Sequence, residues 1–182
     1  MAVLPIRTVP DPVLRRKAKR ITAIDASIPT LARNMIDTMR AASGVGLAGP
    51  QVGVPLRIIV IGIPEDDPLC LINPQIVGKS GERTVDEGCL SIPGYIGQVK
   101  RAVSVTCKGL DTKGKEVRIK ATELLAQALE HEINHLNGVL YTDQLTSPDT
   151  FRKVEPKKPD AESKQGSQPR EPETPHPTPP PA

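Results

Sequence analysis

The chain has 182 residues, of which 37% are hydrophobic, and 24 basic against 21 acidic side chains give a formal charge of +3. At that size one domain is the simplest count, and the interleaved charges argue against sequence-specific nucleic-acid binding or a membrane surface. Two tyrosines, one phenylalanine and no tryptophan leave too few rings for a base-stacking platform.

Asp11-Pro12 is an N-cap and first-turn pair for a short helix through Lys17. Ser27-Ile28-Pro29 opens a longer one ending near Ala42, with Leu31, Met35, Ile36 and Met39 as its buried face. Gly44 and Gly46 then break the helix and release a loop, ending at Gln51, that lets the backbone pass close to another group. Arg57 to Ile63 reads as a buried strand, and Cys70 to Asn73 and Gln75 to Val77 as two short ones. Val99 to Cys107 and Val117 to Lys120 read as an antiparallel pair across the Gly109 to Gly114 turn region.

Thr122 to Asn137 reads as a second helix, with Thr122 as cap, Glu123 at the positive end of the dipole and Gly138 as the C′ stop. From about Arg152 the composition changes, and nine of the twenty prolines fall between Pro156 and Pro181. Such a segment cannot bury enough surface to fold, and its Pro172 to Pro175 spacing and His176 are accidents of composition. The expected architecture is α+β: short mixed or antiparallel sheets packed around this second helix as the central element. It forms a single domain over residues 1–150, followed by a Pro-rich disordered tail over 151–182.

Three cysteines, Cys70, Cys89 and Cys107, at irregular spacing and with no signal peptide point to a reducing, cytoplasmic setting. Cys70 and Cys107 read as small inert core residues on strands. No apolar run approaches the roughly eighteen residues of a membrane span.

The chemistry concentrates in the second helix. His131 and His135 are separated by about 40° in azimuth and about 6 Å in height, so both imidazoles can reach one ion. Glu132 lies about 100° round from one and about 60° from the other, which suits a carboxylate touching a metal-bound water better than a ligand. The central helix is thus a metal-binding helix, and its two histidines continue an apolar stripe through Ala121, Leu124 and Ala128.

A third ligand is absent downstream. The metzincin pattern needs a histidine where Tyr141 stands, and the Pro-rich end offers no helix to carry a gluzincin glutamate. Cys89 is the upstream donor, and a Cys/His/His set leaves one position for water, as catalytic sites do. A divalent ion held by one thiolate and two neutral imidazoles keeps one positive charge, enough to acidify a bound water whose proton Glu132 would take.

Three blocks, Gly44-Val45-Gly46-Leu47-Ala48-Gly49-Pro50-Gln51, Glu87-Gly88-Cys89-Leu90-Ser91 and His131-Glu132-Ile133-Asn134-His135, resemble those of the peptide deformylases in content and order, over about Pro5 to Gln144. Gly49, Glu130 and Asn134 depart from the family's usual alanine, glutamine and aspartate, and Ser43 sits where an acid is common; none removes a ligand or the base. The resemblance implies a hydrolase that removes the N-formyl group of formylmethionyl peptides as formate, with Glu132 as general base and then acid. It also implies that the Gln51 amide and the Leu90 backbone N–H stabilise the oxyanion.

It further implies a methionine pocket of Val45, Leu124 and Ala128 beside His131, with Gly46 and Pro93-Gly94 flanking the peptide backbone. Ferrous iron is the expected ion, with zinc, nickel or cobalt able to take the site. A monomer with transient ribosome contact is the expected setting, although the C-terminal helix thought to dock there in some members looks short or replaced. Two other readings stay open. One is a peptidase acting on internal bonds, disfavoured by Tyr141 and the cysteine ligand; the other is a non-catalytic module, hinted at by Glu130 and Asn134.

Overall fold

Helix α1 spans Ser27–Ala41 in a computed structural model that describes residues 2–64 and 66–154. It buries Ile28, Ala32, Met35, Thr38 and Met39 at spacings of three and four, the single apolar stripe its sequence encodes; Leu31 and Ile36 flank that stripe half-buried. Strands follow as β1 (Gly46–Ala48), β2 (Ile58–Ile61), β3 (Leu69–Ser80), β4 (Arg83–Cys89), β5 (Ile92–Arg101), β6 (Ser104–Leu110) and β7 (Glu116–Thr122). Helix α2 (Glu123–Leu136) and the short strand β8 (Arg152–Lys153) complete the described chain.

Two antiparallel sheets result. One has the order β1-β2-β3-β6-β7 and the other β4-β5-β8. Strand β2 explains the layering. Its alternating Ile59 and Ile61 face a cluster containing Ala126, Leu129, Ile133 and Leu136 of α2, while Ile58 and Val60 face Met35 and Met39 of α1. A strand covered on both sides reads as an unbroken apolar run, which is why this segment was recognisable. A third cluster, Leu14, Ile92, Val99, Leu140 and Tyr141, secures the smaller sheet. Among the described residues no helix is long and apolar enough to cross a membrane.

Several boundaries differ from the sequence reading. The first short helix is a 3-10 turn over Pro12–Arg15, because the chain is then drawn onto α2, where the Ala18 N–H donates to the Leu136 carbonyl at 2.9 Å. The two short strands about Pro74 are one strand, β3, whose register shifts between Ile72 and Gln75. Asn73 there adopts φ 51°, and the ladder resumes beyond the proline, which has no N–H to give.

The expected Val99–Cys107 strand is divided at Ala102-Val103, so its halves belong to different sheets. Thr122 makes no side-chain cap bond; it is instead the last residue of β7, which runs directly into α2. Arg152 and Lys153, expected at the start of the disordered tail, pair with Ile96 and Tyr95 of β5. A strand edge supplied the partners that their own side chains could not. The remainder of that expected tail, 155–182, lies outside the described residues.

Candidate metal centre

Three elements deliver the site. Strand β4 ends on Cys89, α2 presents His131 and His135 on one face, and a 3-10 turn over Gly49–Val52 after β1 carries Gln51. The Cys89 Sγ lies 3.2 Å from His135 Nε2, which is 3.2 Å from His131 Nε2. One ligand atom from each residue lies within 4.8 Å of the others. The sequence brought these residues together from the i, i+4 spacing and a distant cysteine, and the fold places them at one point.

Glu132 sits on the same helix, 3% exposed, with Oε2 lacking any hydrogen-bond partner. Burial is the main cause that raises its carboxyl, with Glu87 adding and His131 opposing, to about 7. The glycine loop explains how it fits: a Cβ at Gly46 would lie 2.2 Å from Glu132 Oε1. The close approach that Gly44 and Gly46 implied is to this carboxylate and, at Gly44, to the Leu90 side chain.

Gln51 is 1% exposed. Its Oε1 accepts from the Ala48 N–H at 2.8 Å, which turns Nε2 toward Cys89 Sγ at 3.5 Å and Ser91 Oγ at 3.2 Å. Leu90 occupies the turn between β4 and β5. Both residues line a cavity of about 750 Å³ together with Val45, Gly46, Leu124 and Ala128, so every residue assigned to the pocket borders one space. Val45 and Leu124 are each 40% exposed, apolar side chains left open to that space and not packed into a core.

Sequence reasoning missed Glu87 and Arg101. Glu87 accepts from Arg101 Nε and Nη2, each at 2.7 Å, and from His131 Nδ1 at 2.9 Å. Donation from Nδ1 leaves His131 Nε2 free to act as a ligand. Burial would push the Glu87 carboxyl up, but the hydrogen bonds of Arg101 and His131 hold it down to about 2. Burial, reinforced by the charge of His131, lowers His135, whose Nδ1 is buried without a partner. The signal for Glu87 was available, since residues i and i+2 of a strand share a face. Arg101 sits fourteen residues from Glu87 and had no such signal.

Two of the four departures from the family pattern, Glu130 and Asn134, have polar partners. Glu130 is 4% exposed; it accepts from the Ala102 N–H at 2.8 Å and forms an ion pair with Lys79. Asn134 Nδ2 donates to Gln144 Oε1 at 2.7 Å. Neither faces the cavity.

The family model described as polypeptide deformylase matches residues 3–151. A peptide deformylase of Dehalococcoides mccartyi is 54% identical over 157 residues, covering 86% of this chain and 94% of that protein. One of Thermomicrobium roseum is 51% identical over 162 residues, covering 85% and 92%. Among solved structures, a peptide deformylase from Legionella pneumophila superposes with a TM-score of 0.78 at 46% identity, covering 82% of this chain and 89% of that one. The peptide deformylase from Synechococcus elongatus in complex with actinonin gives 0.79 at 40% identity, covering 82% of each.

Proposed function

The chain belongs to the peptide deformylase family, and from that premise we propose that α2 is the central element of its active site, with Cys89, His131 and His135 holding one divalent cation and Glu132 moving the protons. Members of this family are metal-dependent hydrolases that remove the N-formyl group from nascent polypeptides. The observation that carries the assignment of residues is the convergence of one sulfur and two ring nitrogens within 4.8 Å, beside a buried carboxylate with an unpartnered oxygen.

The residues fit a cation. A thiolate and two imidazoles form a donor set that accepts ferrous iron, zinc, nickel or cobalt, and Glu87 orients His131 as outer partners of metal ligands do. Bound there, the ion supplies Lewis acidity toward the formyl oxygen and lowers the pKa of a water. Glu132, raised to about 7, is matched to taking a proton from that water and returning it to the departing amine at neutral pH.

Gln51 Nε2, aimed by the Ala48 bond, and the Leu90 N–H are the donors proposed for the oxygen that becomes negative in the transition state. Val45, Leu124 and Ala128 take the methionine side chain, and Gly46 with Pro93-Gly94 lies along the peptide backbone. We assign ferrous iron as the resident ion, and we extend the catalytic domain from the expected residues 1–150 to Val154, because β8 and Val154 pair with β5. The setting proposed is a cytoplasmic monomer meeting formylmethionyl peptides at the ribosome, in keeping with three free thiols.

The test is formate release. Anaerobically purified protein of measured metal content is expected to release formate from formyl-Met-Ala-Ser in proportion to bound metal while leaving casein intact. Casein cleavage, or full metal occupancy without formate, would refute the reading.

A further inference from the structure

The cavity is wider than a formylmethionyl group requires, and its far wall comes from the C-terminal end of the described chain. A space of about 750 Å³ is in the range that encloses a drug-sized ligand, so residues beyond methionine enter it as well. Four of the nine exposed large hydrophobic side chains among the described residues, Val45, Tyr95, Leu124 and Val154, line this one space. Val45 and Leu124 serve the methionine. Tyr95 and Val154, at 38% and 42% exposure, have no role in that pocket.

Their placement is fixed. Val154 follows directly on β8, and its N–H donates to the Gly94 carbonyl at 2.9 Å, extending the Tyr95–Lys153 and Ile96–Arg152 register toward the cavity. The Tyr95 ring stacks on Phe151 at 5.0 Å with 7° between planes, so an aromatic face is held in place before any ligand arrives. Arg152 bonds Asp86 of β4 at 3.0 Å, tying the C-terminal strand across the sheet to the edge that lines the cavity.

We propose that Tyr95 and Val154 form a specificity-determining wall that selects peptides carrying an apolar side chain at the second or third position, with Phe151 as a positioning residue for Tyr95. The proposal rests on the function assigned above. An extended peptide led away from the Cys89–His131–His135 point along Pro93-Gly94 meets this wall next; the wall itself offers apolar contact, and the carboxylate at its edge, Asp86, is already paired with Arg152.

The test compares formyl-Met-Xaa-Xaa peptides bearing Leu, Phe, Ser or Asp at each of the two positions. The parent enzyme is expected to show a KM about tenfold lower for the apolar peptides with kcat little changed, the size of effect that a methylene or two in an apolar pocket gives. Val154→Asp is expected to raise KM for the Leu and Phe peptides to that of the Ser peptide, and Val154→Ile to keep it low. Discrimination that is absent in the parent, or that persists in Val154→Asp, overturns the wall. Calorimetric binding of the same peptides separates the two readings: discrimination in binding with no formate from any peptide leaves the wall standing and refutes the deformylase chemistry.

Discussion

Gly46 and Glu132 touch so closely that no side chain can stand between them: a Cβ at position 46 would fall 2.2 Å from the Glu132 carboxylate oxygen and 2.8 Å from its carbon. The loop glycine therefore sets where the proposed base sits. In Gly46→Ala the carboxylate must move, and a displacement near 1 Å is expected to lower kcat about a hundredfold while bound metal stays stoichiometric. Steady-state formate release beside metal analysis checks this. Unchanged kcat would show that Glu132 has free space this structure does not give it.

Glu132→Gln keeps the shape of the side chain and removes its capacity to carry a proton. A loss of about 10²–10⁴ in kcat is expected for a lost general base, with metal content and KM near those of the parent. A variant retaining a tenth of the parent rate would remove Glu132 from the proton path.

Glu87 gives a pH dependence with a definite sign. Its folded-state carboxyl, at about 2, lies below its ordinary value of 4.5. The stabilisation is therefore complete above about pH 4.5 and is lost as pH falls toward 2. A difference of that size corresponds to about 3 kcal/mol. With metal removed by chelator, Glu87→Gln is expected to lower urea stability by about that amount at pH 7, partly by leaving Arg101 buried without its partner, and the gap is expected to narrow at pH 3. A gap independent of pH would contradict this. In the metal-loaded protein the same variant is expected to weaken metal affinity about 10- to 100-fold through the freed His131 ring.

Burial pushes the Cys70 thiol up to about 12 and Cys107 to about 11. At pH 8 the native thiolate fraction of each is on the order of one in a thousand or less, so a disulfide reagent is expected to spare both until unfolding. One thiol per chain, Cys89, is expected to react once a chelator strips the metal, and none before. Two or more fast-reacting thiols in the folded protein would contradict this assignment.

The parts of the site that the sequence revealed share one property: they repeat at a spacing fixed by local geometry. His131, Glu132 and His135 announce themselves because one helical turn sets their angles, and Ile58–Ile61 because a strand buried on both faces carries no polar alternation. Strand β4 and the part of β5 before Val99 were invisible for the opposite reason. Burial in Arg83–Cys89 alternates at every position, but two of its four inward residues, Arg83 and Glu87, are charged, so its hydropathy does not; Glu87 is buried because Arg101 neutralises it from the next strand. The meeting of Arg101 with Glu87 depends on strand register, which no local pattern encodes. Arg152-Lys153 likewise gains order from the edge of β5, and its composition gives no hint of that.

The coordination itself can be read directly by X-ray absorption at the metal edge of anaerobically loaded protein. One sulfur and two imidazole nitrogens are expected in the shell, with the sulfur lost and metal affinity sharply reduced in Cys89→Ala. A shell without sulfur in the parent, or one unchanged by that substitution, would contradict the three-ligand centre on which the chemistry depends.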